Sequence, residues 1–206
     1  MKKVLIFDYD GVIVDSLNFA MKIFNYVCKK HKINKVINKD EFIKLFDKNF
    51  YKSVAELEIF NKKIPFLVIN DFKKYFKLYQ GKIKLFKDIK IILKQLSKNN
   101  DIFIVTSNST KTVKDYLLYH NINYIKEVSG VENGISKDQK ILLIKKKYFK
   151  EKIYYIGDTK GDIIEGEKAG VETVGVTWGY HSKERILQAR PDFIIDSPKE
   201  LIELFK

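Results

Sequence analysis

Residues Val4-Leu5-Ile6-Phe7 run straight into Asp8-Tyr9-Asp10-Gly11, and no other stretch of the chain restricts its fold as much. A continuous apolar run of this length, without alternation, suits a strand buried on both faces of a parallel sheet. It ends in two carboxylates spaced i, i+2 and then a glycine. Ionised groups at the end of a buried strand are costly unless a positive charge lies beside them. In open parallel α/β sheets, that end of the strand is where ligands bind. A hard cation such as Mg²⁺ is the natural occupant, because it takes oxygen ligands and keeps water and phosphate oxygens in its shell.

Apolar runs of strand length recur at Ile102–Thr106, Ile153–Ile156, Thr173–Val176 and Phe193–Ile195, with a weaker one at Tyr124–Val128. Helical patterns fall between and after them, at about 110–120, 138–149, 160–169, 182–189 and 198–205. Such alternation predicts right-handed βαβ crossovers and an α/β fold with a parallel sheet flanked by helices.

The alternation has one large gap. Between Ser16 and about Gln80 no convincing strand is found. Ala20, Ile23, Phe24, Val27 and Cys28 follow i, i+3, i+4, i+7, i+8, one face of a helix. Phe42, Leu45 and Phe46 suggest a second helix, and Val54, Leu57 and Phe60 a third. Leu67, Phe72, Tyr75, Phe76 and Tyr79 suggest a fourth, starting near Pro65. Of the ten glycines only Gly11 and Gly81 precede residue 130, and they flank this region. The expected organisation is therefore a core of residues 1–15 and 81–206, with an all-helical insert of residues 16–80. Hinges are expected near Asp15–Leu17 and Gly81–Lys84.

The formal net charge is +13, and only Arg185 and Arg190 are arginines. Residues 16–85 hold sixteen lysines against six acidic residues, most of that excess. Lysines are spread along the whole chain, whereas specific nucleic-acid contacts favour arginine, so nucleic acid is not the expected partner. A positive field still attracts small phosphorylated anions. The single cysteine, Cys28, excludes an intrachain disulfide and suits a reducing, cytoplasmic setting. It falls on an apolar helix stripe and reads as core. Asp8 and Asp10 interrupt the first apolar stretch too early for a signal peptide. No apolar run approaches the length of a membrane span, so no membrane partner is expected.

Three further segments carry chemistry. Ile153–Asp162 repeats the opening pattern: an apolar run leads to Gly157 and Asp158, and Asp162 follows four residues later. If the two strands are neighbours, Asp8, Asp10, Asp158 and Asp162 converge in one crevice, and carboxylates so grouped need a cation. Ile102–Val105 runs into Thr106-Ser107-Asn108-Ser109-Thr110 and a helix; hydroxyls and free N–H groups at a helix start make a phosphate cradle. Ser136 and Gln139 fit a capping box, which puts Lys137 in a first helical turn, where the macrodipole disfavours a cation. An anionic partner explains a lysine there, with Lys140 as the rival.

Together these segments resemble the haloacid dehalogenase superfamily, in particular its phosphatases with a helical cap inserted after the first strand. Asp8–Ser16 is similar to the family's first motif, Thr106-Ser107-Asn108 to its second, Lys137 to its third and Gly157-Asp158 through Asp162 to its fourth. Gly166–Val171 and Trp178-Gly179-Tyr180 are similar to phosphoglycolate-phosphatase-like members. The resemblance implies a Rossmann-like core, a small phosphorylated metabolite as substrate, Mg²⁺ as cofactor, and a monomer or homodimer. It implies Asp8 as nucleophile and Asp10 as general acid and base. Thr106 and Lys137 would bind the phosphoryl oxygens together with Gly11, Ser107 and Asn108. Mg²⁺ would be held by the Asp8 side chain, the Asp10 backbone carbonyl and Asp158, with Asp162 orienting Lys137 or metal-bound water.

The departures from the family pattern narrow the activity. Asp10 argues against the dehalogenase branch. Ala20 stands where β-phosphoglucomutases commonly hold histidine. Lys137-Asp138-Gln139-Lys140 replaces the Lys-Pro-x-Pro frequent among phosphoglycolate phosphatases. Phosphoglycolate is the leading substrate; sugar phosphates, nucleotides, pyrophosphate and phosphonates stay open, as does a catalytically inactive binding module.

Overall fold

The structure is a computed structural model and describes residues 2–33, 35–57 and 64–206. The chain opens with β1 (Lys3–Phe7) and the two-residue β2 (Val14–Asp15). Helices α1 (Leu17–Lys30), α2 (Lys39–Lys44), α3 (Phe50–Ala55) and α4 (Ile64–Tyr79) follow. After β3 (Lys84–Leu85) and α5 (Ile89–Leu96), strands and helices alternate. They are β4 (Asp101–Val105), α6 (Thr110–Tyr119), β5 (Glu127–Ser129), α7 (Lys137–Lys147) and β6 (Lys152–Gly157). Then come α8 (Lys160–Ala169), β7 (Glu172–Val176), α9 (Lys183–Leu187), β8 (Phe193–Ile195) and α10 (Glu200–Leu204).

The main sheet has the order β5-β4-β1-β6-β7-β8, with every pair parallel. The chain moves outward from β1 to β4 and β5, then crosses back to β6, β7 and β8. Strand order therefore reverses between β1 and β6, the position where such sheets open a ligand crevice. β1 is apolar throughout because it lies at the centre: Val4, Leu5, Ile6 and Phe7 are fully buried. Val4 and Ile6 share one core with Phe103, Val105, Ile141, Ile153, Tyr155 and Val171. Leu5 and Phe7 point to the other face. Each such side chain contributes about 1.5–3 kcal/mol by leaving water.

The chain divides into two compact units: Met1–Asp15 with Lys84–Lys206, and Ser16–Ile83. The second is helical among its described residues and is built on aromatic packing. Phe24 lies 5.5 Å from Phe42, 6.0 Å from Phe50 and 6.1 Å from Phe72, centroid to centroid. Phe46 stacks on Phe50 at 4.7 Å. Cys28 is buried, and burial pushes its thiol up to about 11, so it is an inert core residue.

Several elements differ from the sequence expectation. The buried stripe of α4 is Val68, Phe72 and Phe76; Leu67 and Tyr79 are 47% and 39% exposed. The helix is phased by Phe72 and Phe76, and i−4 from Phe72 is Val68. The third helix stops at Ala55, so Leu57 lies beyond it, and Phe60 is outside the described residues. The weak fifth strand forms at Glu127–Ser129, where it pairs with Phe103–Val105. Helix α5 was not anticipated, although Ile89, Ile92, Leu93 and Leu96 give it a helical stripe. Strands β2 and β3 pair antiparallel, Val14 with Leu85 and Asp15 with Lys84. No helix among the described residues is long and apolar enough to cross a membrane.

Candidate active site

The site begins where β1 ends. Asp8 extends the ladder by one residue, its N–H donating to the Ile156 carbonyl at 2.9 Å. The chain then folds back sharply: the Ile13 and Val14 N–H groups donate to the Tyr9 carbonyl at 3.0 and 3.1 Å, and Gly11 N–H donates to the Val14 carbonyl at 2.9 Å. Gly11 has φ +79°, and a Cβ there would run into the Asp158 carboxylate. Left-handed backbone and close approach both demand glycine.

β6 ends in the same way. Gly157 lies against the Asp162 side chain, and Asp158 follows it, fully buried. One Asp158 oxygen, Oδ2, accepts the Tyr180 N–H at 2.7 Å. Thr159 caps α8: its hydroxyl accepts the Asp162 N–H at 3.1 Å, while Asp162 Oδ2 accepts the Thr159 N–H at 3.1 Å and the Thr159 hydroxyl. This reciprocal cap fixes Asp162 one turn into the helix.

Carboxylate oxygens of Asp8, Asp158 and Asp162 lie within 4.8 Å of one another. Lys137, the first residue of α7, reaches into them, its Nζ 3.1 Å from Asp8 and 2.8 Å from Asp162. Lys140 turns elsewhere, donating to the Thr106 carbonyl at 3.0 Å. Asp10 is not part of the carboxylate cluster; its Oδ2 accepts a hydrogen bond from Asn108 Nδ2.

The electrostatics separate the carboxylates. Burial disfavours the ionised form of Asp162, but Lys137 and the donors on Thr159 and Tyr155 outweigh it and hold the carboxyl below its usual value. Burial would pull Lys137 down, yet Asp162 and Asp8 hold it well above the usual lysine value. Asp8 goes the other way: burial pushes it to about 8, against the pull of Lys137 and with repulsion from Asp162 and Asp10. Burial raises Asp158 well above the usual range, with Asp162 and Asp8 adding to it.

Those directions bear on a cation. Asp162 accepts Lys137 and Tyr155 on one oxygen and two Thr159 donors on the other, so its lone pairs are occupied. Asp158 Oδ1 is buried with no hydrogen-bond partner among the described residues. A buried carboxylate oxygen without a donor either keeps a proton or takes a positive partner. One lysine cannot neutralise Asp8, Asp158 and Asp162 together. A hard divalent ion on Asp8 and Asp158 fits this donor set.

Thr106 and Ser107 follow the neighbouring strand, β4. Thr106 is buried; its hydroxyl oxygen accepts the Asn108 N–H at 3.0 Å and keeps its own proton for another acceptor. The expected cradle of free amides is only partly open. Glu132 takes the Thr110 N–H at 2.9 Å and the Thr110 hydroxyl at 2.7 Å. Asn108 is committed to Asp10 and Thr106 instead of facing outward.

Some contributors were not anticipated. Tyr155 donates to Asp162 at 3.0 Å, and Glu165 lies 4.0 Å from Lys137, raised to about 7 by burial. Glu165 follows Asp162 by three residues on α8, a helical spacing that could have flagged it. Tyr155 sits inside an apolar run and gave no signal.

Comparison with known proteins identifies the family. The profile of the haloacid dehalogenase-like hydrolases matches residues 5–176. A provisionally assigned pyrophosphatase PpaX of Caldanaerobacter subterraneus is 26% identical over 98% of this chain and 94% of its own length. Phosphoglycolate phosphatase of Vibrio cholerae is 32% identical over 58% of this chain and 56% of its own. The fold superposes on a haloacid dehalogenase-like hydrolase of Streptococcus pneumoniae with TM-score 0.86 and 23% identity, covering 100% of this chain and 99% of that one. The resemblance carried by four short motifs thus extends along almost the whole sequence, and the chain belongs to the haloacid dehalogenase-like hydrolase family.

Proposed function

We propose that this protein is a Mg²⁺-dependent phosphatase that hydrolyses a small phosphomonoester through an aspartyl-phosphate on Asp8. The observation that carries the reading is the pairing of Asp8 with Lys137 at 3.1 Å beside Asp158, whose Oδ1 has no donor among the described residues. It is a carboxyl nucleophile that ionises when a metal binds beside it, next to a lysine placed to hold phosphate.

Each residue has a chemical task in this mechanism. Asp8 carboxylate attacks phosphorus while the P–O bond to the alcohol breaks. Asp10, as the acid, gives its proton to the departing alkoxide. Its carboxylate then takes a proton from water, whose oxygen attacks the same phosphorus and expels Asp8, leaving inorganic phosphate and the original enzyme. Asn108 orients Asp10 for both transfers. Lys137 and the Thr106 hydroxyl hold phosphoryl oxygens, with Ser107 and the turn at Gly11 beside them. Asp162, anchored by Thr159 and Tyr155, positions Lys137. Asp8, Asp158 and the Asp10 carbonyl would hold Mg²⁺, which when bound offsets the repulsion between an anionic nucleophile and an anionic phosphate.

We further propose that residues 16–80 serve as a cap that closes during turnover, excludes bulk water and restricts substrates to small phosphoesters. Its insertion only six residues after Asp10 supports this. Phosphoglycolate is the preferred substrate in this reading. Inorganic pyrophosphate is the second, because the pyrophosphatase-named relative aligns over 98% of the chain. A phosphate-release screen over phosphorylated metabolites with Mg²⁺ decides between them. Release from none of them, with intact fold and metal, would overturn the phosphatase reading in favour of a binding module.

A further inference from the structure

Lys140 is a buried cation that the mechanism leaves unused. It is 4% exposed, and its Nζ donates to the Thr106 carbonyl at 3.0 Å. Among the described residues no second acceptor reaches it. An ammonium with three donors and one partner is costly to bury. Burial pulls its pKa down, and Lys137 adds repulsion. A carbonyl at a strand end needs only a neutral donor or water, so a buried lysine on it calls for another reason.

That carbonyl belongs to the peptide joining Thr106 to Ser107. The N–H of the same peptide is that of Ser107, and it has no acceptor among the described residues. It lies one residue past Thr106, at the end of the strand that pairs with β1. The neighbouring amides of Asn108 and Thr110 are closed by Thr106 Oγ1 and Glu132. A peptide is one resonance unit, so a positive charge on its oxygen draws density from its nitrogen and strengthens the N–H as a donor. The same contact fixes the peptide plane, and hence the direction of the N–H.

We propose that Lys140 is a positioning residue that acts through the Thr106–Ser107 peptide, fixing and polarising it so that the Ser107 N–H binds a phosphoryl oxygen. This rests on the reading of the site as a phosphoryl-transfer centre. Lys140 itself touches no phosphate.

The test uses the full chain with Mg²⁺ and inorganic phosphate as probe, comparing Lys140→Met with Lys137→Ala. Three quantities are read: phosphate affinity by calorimetry, the Ser107 amide proton resonance, and the thermal midpoint. In Lys140→Met the affinity falls about tenfold, less than the roughly hundredfold or greater effect of losing an oxyanion donor outright. The Ser107 amide proton moves upfield. The midpoint stays level or rises, because methionine removes a buried charge. Should Lys140→Met fail to fold, Lys140→Gln keeps a neutral donor, and intermediate shifts in affinity and resonance are expected. Unchanged affinity and resonance in a folded Lys140 variant overturn the proposal if Lys137→Ala still weakens phosphate. If Lys137→Ala also leaves phosphate binding unchanged, it is the phosphoryl-transfer reading that falls.

Discussion

At the scale of single residues, the site works by giving like groups unlike surroundings. Asp8, Asp158 and Asp162 are all buried, yet only Asp162 has its charge fully met by protein donors. Asp8→Asn should therefore lower turnover by about 10⁴-fold or more with little loss of folding, because an amide cannot form the acyl-phosphate. Activity within tenfold of the parent, measured as phosphate release, would remove Asp8 as nucleophile. Glu132 offers a stability test away from the chemistry. Partial burial opposes its charge, but the Thr110 N–H and the hydroxyls of Ser109 and Thr110 bring it down to about 2. A carboxyl lowered on folding stabilises above its unfolded pKa, and that contribution fades as pH falls toward about 2. Glu132→Gln should cost about 1 kcal/mol near neutral pH, the value of an exposed helix cap, with the two proteins converging in acid. Equal denaturant midpoints at pH 7 would show that the cap contributes nothing.

At the scale of elements, the site is a junction of strand ends. β1, β4 and β6 lie side by side, and the residue after each one, Asp8, Thr106 or Asp158, enters the crevice. EDTA should abolish activity and Mg²⁺ restore it, with Ca²⁺ rescuing poorly because its larger, looser shell disturbs in-line geometry. Mg²⁺ should also raise the thermal midpoint, and more at pH 8 than at pH 5. Asp8, raised to about 8 by burial, must lose its proton to bind the ion, so affinity climbs with pH. Full turnover in EDTA, or a midpoint indifferent to Mg²⁺, would exclude a catalytic cation here. Elements also explain what the sequence disclosed. β1 and β6 were legible because a doubly buried strand is written as an unbroken apolar run that ends in acid. Helix α5 was not, since its eight residues lie beside the strand-free stretch and no catalytic motif drew attention to them. The β2–β3 ribbon, two residues a side, is too short to leave a periodic signal. In the site, Asp158 and Asp162 stood out by repeating the first motif. Tyr155 and Glu165 matter only through three-dimensional convergence on Asp162 and Lys137, which spacing along one chain does not encode.

At the scale of the whole molecule, the two units have separate cores, one a parallel sheet with its helices and the other an aromatic cluster of helices. Asp15 and Lys84 are cross-strand partners in the β2–β3 ribbon. Joining them by an Asn-Gly turn in place of residues 16–83 should leave a core that folds cooperatively, because such a turn suits an antiparallel pair. Under the cap proposal, this shortened protein should still bind inorganic phosphate but discriminate poorly among phosphoesters by size. Retained size selectivity in a screen from small phosphoesters to a folded phosphoprotein would refute that role for the insert. The ribbon has a broader consequence. An insert that enters and leaves through paired neighbours adds only a closed loop to its host, and the entropy of closing it grows as the logarithm of its length. Doubling that length costs only about 0.6 kcal/mol. The sheet is thus indifferent to how much chain is spliced in at this point, so, under the cap proposal, one insert could replace another and change which molecules are admitted without disturbing the strand ends that carry the chemistry.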